Sequence, residues 1–353
     1  MKKRVLMAMS GGIDSSVAAI LLQQQYDLVG VTFRNFDLPC QTDSSEDVVE
    51  SARQLADKLG FEHHVLDVRQ QFRETVVQNF IDEYMRCRTP NPCVMCNPII
   101  KWGELLRFAD TMHCELLATG HYAQIACLND RYFIQKGKDA LKDQSYFLWR
   151  VKDDYLRRTL FPLGGLTKQK VREIAAEHGF VMLTEKKESE EICFIPDNNY
   201  RNFLKEQVPD LDERMRPGKM VDTEGKFLGK HTGLYNYTIG QRKGLGIALG
   251  VPAYVVALDA ERNRVVIGYK DDLQGKELLL EDIHMMKYPD FEDGQQFDCR
   301  IRYRSKGVPA QLYHEGDKVR VVFAEAVESI TPGQSTVFYE GDDLVGGGLI
   351  CIP

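Results

Sequence analysis

The sequence predicts an α/β fold: a doubly wound parallel sheet, then a small central domain and a C-terminal β-barrel. Three observations carry that prediction. Short β-rich apolar runs alternate with amphipathic stretches in the first part of the chain. Prolines, glycines and charges crowd a segment beyond it, and short strands at close spacing fill the end. At about 150 residues per domain, 353 residues exceed a single core. The three parts are expected at 1–202, 203–275 and 276–353.

Arg4 to Met9, Leu28 to Arg34 and His64 to Val68 read as strands, and Leu116 to Thr119 as a further one. Between them, Glu46 to Leu59 sets Val48, Ala52, Leu55, Ala56 and Leu59 on one helical face, with Gly60 at the stop. Thr167 to His178 repeats that pattern and ends at Gly179; Val17 to Gln24, Gln71 to Met85 and Lys101 to Met112 complete the helices. The α/β part closes near Pro196, and Val208 to Gly229 reads as a connection. Tyr254 to Ala257 and Arg264 to Ile267 are β-like runs around a turn. Arg300 to Tyr303, Gln311 to Tyr313, Lys318 to Glu325, Ser335 to Tyr339 and Leu344 to Ile352 then form the barrel strands.

Composition narrows the function classes. Hydrophobic residues at 43% with 27% charged residues exclude a disordered chain, and no apolar run approaches the ~18 residues that span a bilayer. The basic start Met1-Lys2-Lys3-Arg4 is followed by an apolar stretch that stops at Ser10, too short for a secretory segment, so a cytoplasmic location without membrane contact is expected. A net charge of −7 excludes a uniformly basic nucleic-acid coat and leaves room for a local basic face. Nine cysteines, an odd number, do not form a disulfide scaffold; a functional cysteine here is a reactive thiol or a metal or cluster ligand.

Two motifs carry the chemistry. The first strand runs into Ser10-Gly11-Gly12-Ile13-Asp14-Ser15-Ser16 and then a helix. Glycines let the backbone approach an anion, and hydroxyls with free N–H groups at a helix start supply donors. The Lys of a Walker loop is missing. The second motif is a pair of cysteine segments: Arg88-Thr89-Pro90-Asn91-Pro92-Cys93-Val94-Met95-Cys96-Asn97-Pro98, read as a proline-stiffened loop, and Glu191-Ile192-Cys193-Phe194-Ile195 after the charged stretch Glu185 to Glu190. A thiol on a rigid loop near a helix N-terminus has a lowered pKa.

The first motif resembles the PP-loop of the ATP pyrophosphatase superfamily. Together with the cysteine segments, Ala118-Thr119-Gly120-His121-Tyr122-Ala123, Lys142-Asp143-Gln144-Ser145-Tyr146-Phe147-Leu148, Tyr237 to Gly246, Arg302-Tyr303-Arg304 and Thr331-Pro332-Gly333-Gln334, the chain resembles the tRNA-specific 2-thiouridylase (MnmA-type) family over essentially its whole length. The resemblance implies ATP-dependent sulfur transfer to C2 of the wobble uridine in tRNAs for lysine, glutamate and glutamine. It implies ATP, with Mg2+, on Ala8, Met9, Ser10, Gly11, Gly12, Ile13, Asp14 and Ser15, Phe33 beside the adenine and Gly120 closing the pocket. By position, Cys193 matches the persulfide carrier and Cys96 the nucleophile that resolves it. Sulfur would arrive from a cysteine desulfurase through a relay protein. Asn91, Pro92 and Cys93 match the segment at the target base; the family usually has Asp where Cys93 stands, which puts a base or orienting role at that position in doubt. His121, Lys142, Asp143, Gln144, Arg302, Tyr303 and Gln334 match positions that contact tRNA.

Other readings follow from the same residues. Cys93-Val-Met-Cys96 lacks the second ligand pair of structural zinc, whereas an iron-sulfur cluster on Cys93, Cys96 and Cys193 would leave one iron open to carry sulfur. Arg300, Arg302, Arg304 and Lys306 alternate, so a continuous strand would put all four on one face as a phosphate-tracking stripe. Gln241-Arg242-Lys243-Gly244 offers two cations to tRNA or to the sulfur donor. A PP-loop amide or amine ligase shares the ATP chemistry but leaves Cys96 and Cys193 unexplained, and a non-catalytic RNA-binding module leaves the intact loop unexplained.

Overall fold

The computed structural model describes residues 2–36, 44–180, 192–247 and 249–351. Strands β1 (Arg4–Ala8), β2 (Asp27–Arg34), β3 (Glu62–Asp67), β4 (Leu116–Ala118) and, after the hairpin β5 (Ala123–Leu128) and β6 (Arg131–Lys136), β7 (Thr159–Leu160) form the first sheet and its annex. The sheet order is β3-β2-β1-β4-β7, parallel throughout. Because strand side chains alternate, Val5 and Met7 pack with the helices Ile13–Gln23, Ser44–Leu59 and Lys168–Glu177, while Leu6 packs with Trp102, Leu105 and Ala109 of the opposite layer. Both faces are therefore covered, as a doubly wound sheet requires.

The second unit pairs β8 (Gly218–Asp222), β9 (Phe227–His231), β10 (Tyr254–Asp259) and β11 (Arg264–Gly268) in the order β10-β11-β8-β9. Its first two strands lie in the segment that the proline and glycine content reads as a mere connection; turns at Gly225 and an edge position tolerate that composition. The third unit contains β12 (Gln274–Met285), β13 (Gln295–Arg300), β14 (Val308–Glu315), β15 (Lys318–Glu328), β16 (Ser335–Glu340) and β17 (Asp343–Cys351). β12 pairs with both β15 and β17, which closes a six-stranded barrel, and the β5–β6 hairpin of the first domain joins it through β17.

Three local expectations change. The helix after the phosphate loop begins at Ile13, not Val17, so Asp14, Ser15 and Ser16 belong to its first turns. Pro92 starts a helix rather than stiffening a loop: Pro92–Cys96 is α-helical, Asn97–Glu104 continues as π-helix and Leu105–Thr111 returns to α. The strand expected from Arg300 to Tyr303 stops at Arg300. There Ser305 Oγ accepts from the Arg302 N–H and donates to the Arg302 carbonyl, a local bond that competes with the ladder. The four cations consequently do not share one strand face.

Candidate active site

The phosphate loop lies at the carboxyl end of β1, the edge at which open parallel sheets bind ligands. Gly11 has φ +63°, and a Cβ there would come within 2.8 Å of the Val48 carbonyl. Gly12 caps the helix in extended conformation without a side-chain cap bond, leaving its first N–H groups for a ligand. The hydroxyls tighten the loop: Ser15 and Ser16 both donate to the Gly12 carbonyl, at 3.1 and 2.8 Å, and the Ser10 N–H donates to Ser15 Oγ. A Cβ on Gly120 would stand 3.0 Å from the Ser15 nitrogen, so only glycine lets the end of β4 approach the loop this closely. Phe33 is half-buried near the end of β2, two residues past the Val31 that pairs with Ala8.

Asp14 is held by two groups that the sequence does not announce. Lys168 Nζ lies 2.7 and 2.9 Å from its two carboxylate oxygens, and the Tyr122 hydroxyl donates to Oδ1 at 2.7 Å. Lys168 is 6% exposed and occupies the first position of its helix, where the macrodipole disfavours a cation. That misplacement is the one sequence signal for it: a lysine so placed needs a carboxylate from elsewhere.

Cys96 ends the α-helical turn that Pro92 begins, and Cys193 Sγ accepts from Asn35 Nδ2 at 3.9 Å, just past the end of β2. Burial pushes the Cys96 thiol up to about 12 and Cys193 up to about 11, with Lys101 drawing both down and Cys93 pushing both up. The expected lowering is thus overturned: Cys96 is half-buried at the end of its helical turn rather than on an open loop, and desolvation outweighs the cation's effect. Cys193 keeps an exposed edge, Cys93 is exposed, and all three are free thiols. Among the described residues no three His, Cys, Asp or Glu side chains converge on a position for a metal ion. The stretch Glu185 to Glu190 lies outside the described residues.

Lys101 Nζ stands 3.4 Å from His121 Nε2, and His121 Nδ1 is 2.7 Å from Thr119 Oγ1. An ammonium only donates, so Nε2 accepts and Nδ1 carries the proton. Burial first, then Lys101, hold His121 well below the ordinary imidazole value. A succession of close approaches thus runs from Ser15 through Gly120 and His121 to Lys101, whose charge acts on both thiols.

The remaining candidates divide into two groups. Lys142 is half-buried at the same loop as Leu141, which is 88% exposed, and Tyr303 packs on Phe147 with ring centres 4.6 Å apart. Others are committed to internal bonds. Asp143 is buried and accepts from the Gly137 and Ser145 N–H groups and the Ser145 hydroxyl. Gln144 accepts from the Tyr122 N–H. Arg302 donates to the Glu328 and Ser329 carbonyls, both at 2.7 Å. Gln334 Nε2 donates to the carbonyls of Thr89, at 2.9 Å, and Pro90. Asn91 caps the helix that begins at buried Pro92.

A phosphate loop on a doubly wound sheet, with free thiols beside it and a barrel packed against the thiol segment, defines an ATP-using α/β enzyme with added domains. Family models match the chain in three consecutive parts: a "tRNA methyl transferase HUP domain" over 3–197, a "tRNA methyl transferase PRC-barrel domain" over 201–269 and an "Aminomethyltransferase beta-barrel domain" over 275–350. The tRNA-specific 2-thiouridylase MnmA of Amoebophilus asiaticus is 50% identical over 363 residues, covering 99% of this chain and 95% of that protein. The MnmA proteins of Cytophaga hutchinsonii and Natranaerobius thermophilus are 48% and 44% identical, each over 99% of this chain and 97% and 98% of their own. The chain belongs to the tRNA-specific 2-thiouridylase (MnmA) family.

Proposed function

We propose that this protein uses ATP to replace the C2 oxygen of the tRNA wobble uridine with sulfur carried as a cysteine persulfide. The observation that carries this reading is the succession from the phosphate loop through Gly120 and His121 to Lys101, the ammonium whose charge acts on both Cys96 and Cys193. The loop Ala8–Ser15 with Gly120 takes the triphosphate and Phe33 flanks the adenine; Asp14 holds the loop through Lys168 and Tyr122, and Mg2+ on the nucleotide would supply charge neutralisation. An unpaired wobble base is free to be turned into the site beside Asn91, Pro92 and Cys93. Its C2 oxygen attacks the α-phosphate, pyrophosphate leaves and N3 gives up its proton; the oxygen is now part of an AMP leaving group.

The terminal sulfur on Cys193, supplied by a cysteine desulfurase through a relay protein, attacks C2 and AMP departs. Cys96 then attacks Cys193 Sγ: the Cys96–Cys193 bond forms, the bond from Cys193 to the transferred sulfur breaks, and its electron pair stays with that sulfur as the thiocarbonyl. The two cysteines are oxidised, the transferred sulfur is reduced, and the Cys96 proton is balanced by the one N3 regains. External thiol resets the pair. Lys142, His121 and Tyr303 face the RNA, with Asp143, Gln144, Arg302 and Gln334 holding the loops that do so, and tRNAs for lysine, glutamate and glutamine in the cytoplasm are the substrates.

The test combines ATP, unmodified tRNA and a persulfide donor and follows AMP release and mercury-retarded tRNA. Cys193→Ser is expected to abolish thiolation while retaining ATP and tRNA binding. Full thiolation by that variant overturns the persulfide assignment, and AMP release without sulfur incorporation by the unaltered protein overturns the reaction.

A further inference from the structure

Cys96 has a task that its surroundings oppose. To attack a disulfide-like sulfur it must be a thiolate, yet it is half-buried and desolvation pushes its thiol up to about 12. The charged and titratable groups that act on it are Lys101, Cys193 and Cys93, and of these only Lys101 favours the thiolate.

The backbone explains how Lys101 reaches it. In an α-helix, 3.6 residues per turn would place residues five apart about 140° around the axis from each other. The helix is not α here: Cys96 caps the π-helix Asn97–Glu104, in which bonds run from residue i to i+5. Lys101 is five residues after Cys96, so the π-turn brings it back over that residue. Pro98, which has no N–H to donate, stands in the first turn of the wider helix. The Lys101 ammonium is further fixed by His121 Nε2, whose tautomer is set from the far side by Thr119.

We propose that Lys101 is a positioning residue of the sulfur-transfer centre, brought over Cys96 by the π-helix to hold that sulfur as the thiolate that resolves the Cys193 persulfide. The assignment rests on the function proposed above and goes beyond it in giving the resolving step its counter-ion. Lys101 acts through its charge, which favours the thiolate before the Sγ–Sγ bond forms. His121 stays neutral and keeps the ammonium aimed.

The experiment measures alkylation of Cys96 by iodoacetamide against pH, read by peptide mass spectrometry on the full chain without ATP or tRNA. Lys101→Met is expected to slow alkylation near pH 8 about tenfold; Lys101→Arg restores the rate. In single turnover, Lys101→Met slows Cys96–Cys193 disulfide formation by a similar factor. An unchanged alkylation rate in a Lys101→Met protein that melts like the unaltered one overturns the proposal. Cys96→Ser separates the two levels: normal thiolation by that variant refutes the resolving role of Cys96 itself, whereas the alkylation profile judges Lys101 independently of turnover.

Discussion

Replacing Lys168 with methionine removes the cation of the phosphate loop while keeping the length and apolar stem of the side chain. The Lys168 side chain is 7% exposed and that of Asp14 34%. Removing one partner of a fully buried ion pair costs about 3–5 kcal/mol because the other charge is stranded. Asp14 keeps a third of its surface in water and the Tyr122 hydroxyl at 2.7 Å, so the folding cost falls to about 2 kcal/mol. The effect on ATP is larger. Two like charges about 6 Å apart at an effective dielectric constant of about 20 repel by about 3 kcal/mol, so stranding the Asp14 carboxylate in the loop is expected to weaken ATP on the order of a hundredfold. Calorimetric titration with a non-hydrolysable ATP analogue reads this directly. The double variant Asp14→Asn/Lys168→Met removes both charges, and it is expected to recover much of the loss, with a coupling of about 1–3 kcal/mol. Unchanged affinity in Lys168→Met, or no relief from Asp14→Asn, refutes the assignment of this pair to the nucleotide loop.

Three further outcomes follow from the same reading. Arg88 is nearly buried between Glu83, 8% exposed, at 2.7 Å and the barrel's Glu281 at 2.6 Å, so Arg88→Met strands Glu83 with only Arg86 at 3.7 Å and costs about 3 kcal/mol; Glu281→Gln, at a 39% exposed carboxylate, costs less than about 1 kcal/mol, and equal losses in urea melts contradict the reading. His121 is held well below 6.5, so it takes up a proton on unfolding before it does so folded; its contribution is complete above about pH 6.5 and is lost as pH falls through that value, at up to about 1.4 kcal/mol per unit. Melting curves of His121→Asn between about pH 7.5 and 5 are therefore flatter than those of the unaltered protein, and parallel curves refute the buried neutral ring. Lys306 is exposed whereas the Arg300 guanidinium lies over the Tyr339 ring at 5.0 Å with Nε buried, so Lys306→Gln lowers the salt slope of tRNA binding by about one and Arg300→Gln leaves it unchanged; the reverse pattern reinstates a continuous basic strand.

What the sequence discloses and what it conceals divide along the range of the interactions. The strand–loop–helix unit from Arg4 to Gln23 is legible because each requirement is local: apolar alternation, glycines where φ is positive or space is short, hydroxyls at the helix start. The Lys168–Asp14 pair spans 154 positions and the Gln334–Thr89 bond 245, and nothing in either neighbourhood names its partner. The β5–β6 hairpin is similarly concealed, since its place is decided by a barrel strand formed some two hundred residues later. The Arg300 to Lys306 alternation is present in the residues, yet a serine turn and two captured carbonyls override a pattern that only a continued ladder would express. The cysteine reading fails for a related reason: composition locates Cys96 and Cys193 but carries no measure of burial, and burial dominates their acidity.

The barrel gains a role from these long-range bonds. It holds the thiol helix at both ends: Arg88 joins Glu281 ahead of it, and Arg150 contacts both Met95 Sδ and Asp282 beside it. Glu281 and Asp282 are adjacent at an irregularity of β12, where the register shifts and Asp282 takes φ +55°, so one distortion of a barrel strand presents both carboxylates to the first domain. Opposite them the barrel loop 331–334 is tied to the same segment: the Thr89 N–H donates to the Pro332 carbonyl, Gln334 donates to Thr89 and Pro90, and a Cβ on Gly333 would meet the Thr89 carbonyl at 2.9 Å. Asn91, Pro92 and Cys93 follow within three residues. On the function proposed above, a nucleic acid that engages the barrel through Lys306 or Tyr303 would act on a body bonded to the backbone that carries Asn91 to Cys93 and Cys96. Separating the barrel from the sheet would remove these anchors from both ends of the thiol helix at once, so on that reading the third domain would serve the sulfur-transfer centre as well as the RNA.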